Sequence, residues 1–181
     1  MSLFISNRLP SISATTTNNV TAAERTSAID FVNRVNFLFE EFDHDKMLSA
    51  FHSDAVTYHF HGTIRGHAEM RKFFAQDYPY LIEGVTRHAT NHIVDRDGED
   101  GVLVKYHEQL IRHAWPAKGA KVESGAEKAG PALKHEDGLP ALWLWSHMVD
   151  RLRKDVNGEW KIAERYLGAA AFDTKLDPPA E

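Results

Sequence analysis

The chain has no cysteine. That removes disulfides, thiolate nucleophiles and sulfur-ligated zinc together. It also lacks any apolar run approaching the roughly 20 residues of a membrane span. Basic runs and aromatic-basic ladders are missing, and the formal net charge of -5 argues against a general nucleic-acid binder. Phosphate-binding loops and dinucleotide fingerprints are absent as well: Gly62, Gly66, Gly98 and Gly101 fall where turns are expected. The opening M-S-L-F-I-S-N-R-L-P has too short an apolar core for a secretory signal. Ser11 to Thr21 is almost entirely small or polar, so residues 1–21 are expected to form a flexible tail on a cytoplasmic protein.

What is present suits one domain. A chain of 181 residues with 43% hydrophobic and 26% charged content is long enough for one core and short for two. Ile29, Val32, Val35, Phe39 and Phe42 recur at helical spacing and predict a long amphipathic helix over 22–43. A short second turn carries Met47, Leu48 and Phe51. A-V-T-Y-H-F-H-G reads as a strand, and helical spacing returns through Met70, Phe73 and Phe74. After Pro79 the period becomes two: strands are expected over 88–94, 102–113, 141–153 and 160–167. The sum is an α+β fold, with helices on one face of a curled antiparallel sheet. The interruption 115–138 is longer than an ordinary hairpin loop and is read as either a surface excursion or a lid.

The stretch Y-H-E-Q-L-I-R-H-A puts His107 and His113 on one strand face, with Gln109 between them. On the strand A-L-W-L-W-S-H-M-V-D-R-L-R, Trp143, Trp145, His147 and Val149 share one face. Two tryptophans beside a histidine suit the wall of a pocket for a cyclic ligand, or equally packing against helices or a second subunit. The other face offers Leu142, Leu144 and Met148 to a homo-oligomer, dimer or trimer. Tyr58 and His59 point to opposite faces, so one of them can line a cavity. H-F-H at 59 and 61 raises a metal site of the kind found on all-β barrels; the long opening helix speaks against that fold.

Three stretches carry a family resemblance: F-D-H-D-K-M-L-S-A-F-H-S-D-A-V-T-Y-H-F-H-G-T-I-R-G-H-A-E-M-R-K-F-F, R-H-A-T-N-H-I-V-D-R-D-G and M-V-D-R-L-R-K-D-V-N-G-E-W-K-I-A-E-R. Together they resemble the SnoaL-like members of the nuclear-transport-factor-2-like superfamily over about residues 22–170. The resemblance implies an α+β cone, a curved sheet wrapped with helices around a deep pocket, leaving 171–181 as a C-terminal tail. Within that superfamily the chain is most similar in mechanism to scytalone dehydratase and hexachlorocyclohexane dehydrochlorinase. The likeness implies catalytic histidines at His88 and His113, with an acidic partner at Glu41 or Asp43. It favours His59 over Tyr58 at the substrate and leaves His107, Trp143, Trp145 and His147 as pocket-wall residues. The function implied is a cofactor-independent lyase, isomerase or cyclase acting on a hydrophobic cyclic or polyketide-like molecule through histidine acid-base chemistry. The same fold also serves non-enzymatic binding or assembly domains and epoxide hydrolases, and fold alone does not choose.

Overall fold

The structure is a computed structural model describing residues 9, 12–14, 20–60, 62–76, 84–98, 100–115 and 138–177. Helix α1 (Ala22–Glu41) begins at a capping box: Thr21 Oγ1 accepts from the Glu24 amide, and Glu24 Oε2 accepts from the Thr21 amide. Two otherwise unpaired amides are thereby satisfied. Its buried stripe is Ala28, Val32, Val35, Asn36 and Phe39. The helix stops at Phe42, whose backbone is left-handed (φ 54°) while its ring stays buried. Asp43 then caps α2 (His44–Ser49) by accepting from the Asp45 and Lys46 amides. The expected helix over 22–43 is thus split two residues early, because Asp43 serves the next helix as its cap.

Strands β1 (Phe51–His59) and β2 (Gly62–Arg65) form a hairpin, followed by α3 (Gly66–Gln76), and then β3 (Val85–Asp97), β4 (Gly101–Arg112), β5 (Ala141–Lys154) and β6 (Trp160–Phe172). The described strands make one curved sheet in the order β2-β1-β6-β5-β4-β3. Its two edges do not pair, so the cone is open rather than a closed barrel. β3 to β6 are antiparallel neighbours, whereas β1 lies parallel to β6. Hairpin signals report only pairings between successive strands, so this parallel junction was not legible as such.

α1 packs on β3 and α3 on β1, enclosing a core of Val94, Val102, Val104, Met148, Leu152 and Ile162 against the helical stripe. β4 residues of even number therefore face the helices. Five register shifts interrupt the strand pairing, and three of them bear on the site. Asn91, with left-handed backbone (φ 56°), and His92 together form a bulge in β3. Trp143 is skipped in the β4–β5 register and Ala163 in the β5–β6 register. The Ala163 bulge turns Arg165 toward the helices, although Glu164 beside it faces outward to Arg151.

β6 continues to Phe172, and a 3-10 turn (Thr174–Leu176) packs Leu176 against Val85, Leu110, Trp143 and Leu144. The expected C-terminal tail from 171 therefore starts inside a strand. Leu9 packs on an outer-face cluster of Leu103, Val149 and Tyr166. Residues 116–137, which include nearly all of the segment read as a possible lid, lie outside the described residues. No described helix is long and apolar enough to cross a membrane.

Candidate active site

Between the helix-facing side of the sheet and helices α1 and α3 lies a mostly apolar cavity of about 70 Å³. Phe39, Phe51, Phe74, Met70 and Leu167 supply much of its wall. Phe60 and Phe172 are half-exposed and meet edge-to-face at 5.5 Å. His59, on the same wall, packs its ring 3.9 Å from Phe60 and 5.0 Å from Phe73. A volume this small admits an oxygen-bearing fragment rather than a fused ring system, since a dry cavity that takes benzene measures about 150 Å³. The aromatic rim is left to contact the rest of a ligand.

Besides Thr57 and His59, a group of polar side chains interrupts the apolar wall. Asn36 comes from α1, Arg87 from β3, Glu108 from β4, Ser146 from β5 and Arg165 from β6. Glu108 and Ser146 are directly opposed in the β4–β5 register. Glu108 is 3% exposed, and neither of its carboxylate oxygens has a hydrogen-bond partner. The Asn36 amide nitrogen and Ser146 hydroxyl are likewise buried and unpartnered. Buried polar atoms are normally satisfied, and here three groups on one cavity keep unused hydrogen-bonding capacity.

Electrostatics single out the same carboxyl. Burial pushes Glu108 up to about 7, against the opposing pull of the Arg87 and Arg165 guanidinium groups; Asp150 raises it further. Arg87 Nη1 stands 3.6 Å from Glu108 Oε1, too long for a good hydrogen bond but close enough to act as a charge. Asn36 lies near the carboxyl without reaching bonding geometry. The backbone of Arg87 is tied to α1 by its amide, which donates to Glu40. Behind the wall, Arg165 grips Asp150 through two hydrogen bonds of 2.7 Å, and the Tyr106 hydroxyl donates to the same carboxylate.

His59 is on the cavity wall; Tyr58 is on the opposite face, stacked on Tyr166 at 4.6 Å. His88 is exposed on the outer face, paired with Gln109 and hydrogen-bonded to Thr86. His113 lies beyond the end of β4, its amide donating to the Gly84 carbonyl, and its ring is not on the cavity. Glu41 points into solvent and pairs with Lys46, while Asp43 is a helix cap. His107, Trp145 and His147 pack together on the outer face, with His107 directly opposite His147 and their rings 4.6 Å apart. Burial and the neighbouring His107 lower the proton affinity of His147. Trp143, displaced by its bulge, packs near the C-terminal turn and donates to Asp177. Leu144 and Met148, offered by sequence to an oligomer, line the cavity instead; Leu142 alone of the three is exposed.

On the strands, the placement of these residues off the cavity is a matter of parity. Period two shows which residues share a face, but not which face is concave. Glu108 sits beside His107, Arg87 beside His88 and Ser146 beside His147. A usable signal was there: Val102, Val104, Tyr106, Glu108 and Leu110 share one parity, and a carboxylate in an apolar row marks a buried charge. The histidines His107 and His113 lie on the other row.

Among the described residues, no three His, Asp or Glu side chains converge in an arrangement that holds a metal ion. His61, one half of the H-F-H pair, lies outside them. The model of the SnoaL-like domain family matches residues 20–166. The chain belongs to that family. No functionally curated protein matches it. Among solved structures, it is similar to an NTF2-like protein with a cystatin-like fold from Novosphingobium aromaticivorans, with TM-score 0.60, 15% identity and 80% of each chain covered. A candidate scytalone dehydratase from the same organism gives TM-score 0.59 at 14% identity, covering 83% of this chain and 88% of that one. A ketosteroid isomerase-like protein from Erwinia carotovora atroseptica gives TM-score 0.57 at 11% identity, covering 87% and 100%. At such identities these likenesses establish the fold alone, which is the cone expected from sequence.

Proposed function

We propose that this SnoaL-like protein is a cofactor-independent lyase or isomerase in which Glu108, rather than a histidine pair, moves the proton. The observation that carries this reading is a carboxyl buried on an apolar cavity with both oxygens lacking a hydrogen-bond partner. Ionised Glu108 takes a proton from the carbon next to a substrate carbonyl. The carbonyl oxygen receives hydrogen bonds from the Asn36 amide and the Ser146 hydroxyl, with the Arg87 charge beside it, so the developing enolate is held by groups already in place. Glu108, now protonated, returns the proton to a second carbon, completing an isomerisation. Alternatively it protonates a leaving hydroxyl, which departs as water and completes an elimination. A carboxyl poised near neutrality suits both halves of such a transfer.

The substrate class that fits is a small cyclic ketone, its oxygenated end in the inner cavity and its ring against Phe60, Phe73 and Phe172. The probe is cyclohex-3-enone in deuterated buffer, with conversion to the conjugated enone and α-deuteration followed by NMR. The wild type is expected to accelerate both, and E108Q to lose roughly 100-fold or more, the usual range for an acid-base group. Tight binding of the ketone without exchange would replace this reading with that of a ligand-binding domain.

A further inference from the structure

The ion pair behind the cavity wall has a consequence for Glu108. Asp150 is fully buried and accepts from Arg165 Nε and Nη2, both at 2.7 Å, and from the Tyr106 hydroxyl at 3.0 Å. Arg165 is itself a wall residue of the cavity, with its guanidinium over the rings of Phe39 and Phe51 at 5.7 and 5.4 Å. Asp150 does not line the cavity. Such a pair is weak evidence for stability, because desolvation offsets the attraction, and its placement has to be read for what else it does.

We propose that Asp150 is a positioning residue that acts on Glu108 through Arg165: it fixes the guanidinium on the cavity wall and cancels its charge there. The inference rests on the reading of Glu108 as the proton-moving group. A two-point grip holds the guanidinium plane in one orientation, and the Tyr106 hydroxyl satisfies a further lone pair of the same carboxylate. Glu108 therefore experiences a neutral pair in place of a lone buried cation. Arg87 from β3 and Tyr106 from β4 are the other titratable or charged groups facing it, and His59 from β1 lines the same cavity. Helix α1 contributes the Asn36 amide, while α3 contributes apolar side chains. In this setting Arg165 draws the carboxyl down and Asp150 pushes it up.

The test follows the Glu108 titration directly, without a substrate, by NMR of protein labelled with ¹³C at the glutamate carboxyls. The resonance is assigned by its loss in E108Q. In D150N the uncompensated Arg165 is expected to lower the midpoint by roughly one pH unit or more, the scale of a nearby opposite charge. R165M leaves Asp150 alone and is expected to raise it. The double variant D150N/R165M removes the pair as a unit and is expected to return the midpoint toward the wild type, a rescue that a merely structural role would not produce. An unmoved midpoint in folded D150N or R165M would overturn the proposal. So would a double variant whose midpoint rises as though Arg165 alone had been removed. Because this readout needs no turnover, it is separable from the proposed activity: a wild type inactive on ketones with the predicted shifts would defeat the activity and leave this inference standing.

Discussion

A carboxyl buried in an apolar wall disfavours its own ionised form, and Glu108 carries that penalty into the stability of the whole molecule. Its folded value of about 7 lies above the ordinary 4.5. Between those two values the folded state therefore holds a proton that the unfolded chain has released, so stability falls as pH rises through that window and levels off above it. A carboxyl raised from 4.5 to about 7 corresponds to about 3 kcal/mol. E108Q removes the ionisation, so its stability relative to the wild type should improve by about that amount between pH 4 and pH 8 in urea unfolding curves. A difference that stays flat across this range would mean the carboxyl is not buried as described. Arg87 acts in the opposite sense. R87M deletes the largest counter-charge, so the Glu108 midpoint should rise in the NMR titration, and the acid limb of the rate profile should move up with it.

At the scale of elements, the helical cap and the strand bulges decide where the site residues point. Thr21 opens the helix that delivers Asn36 and Phe39 to the cavity. T21A loses the side-chain half of the capping box, the hydroxyl that accepts from the Glu24 amide, and should be destabilised by about 1 kcal/mol, read as a lower denaturant midpoint at unchanged slope. Gly84 is constrained more tightly: its φ is +73°, and an added Cβ would lie 2.1 Å from the Ala114 carbonyl oxygen. G84A should be harmed more than T21A, because strain and a backbone clash combine there. The helices and β3 to β6 were legible in the sequence because each carries a long, regular period. The bulges were not. Nothing local in A-L-W-L-W announces that Trp143 is skipped, and nothing in K-I-A-E-R says that Ala163 resets the alternation to bring Arg165 inward. The cavity wall depends on these register shifts and on which side the helices cover. His59 is on that wall, as the family likeness implies, whereas Glu108 is marked in the sequence only by its place in an apolar row.

For the whole molecule, the cone separates two chemistries on the two sides of one sheet. The inner side is apolar around Glu108. The outer side carries the His107–His147–Trp145 cluster and an ion network in which Arg151 bridges Asp97 and Glu164 while Arg153 shares Asp97. Substitutions on the outer side should leave proton transfer intact, because no outer side chain lines the cavity among the described residues. The central claim is that the proton-moving group lies inside the cone and is a carboxyl. The most direct measurement compares deuterium exchange into cyclohex-3-enone at pH 8 by the wild type, E108Q, H88A and H113A, each first shown to be folded. The account predicts near-normal exchange by H88A and H113A and a loss of roughly 100-fold or more in E108Q. Full activity in E108Q, or its loss in both histidine variants, would contradict it.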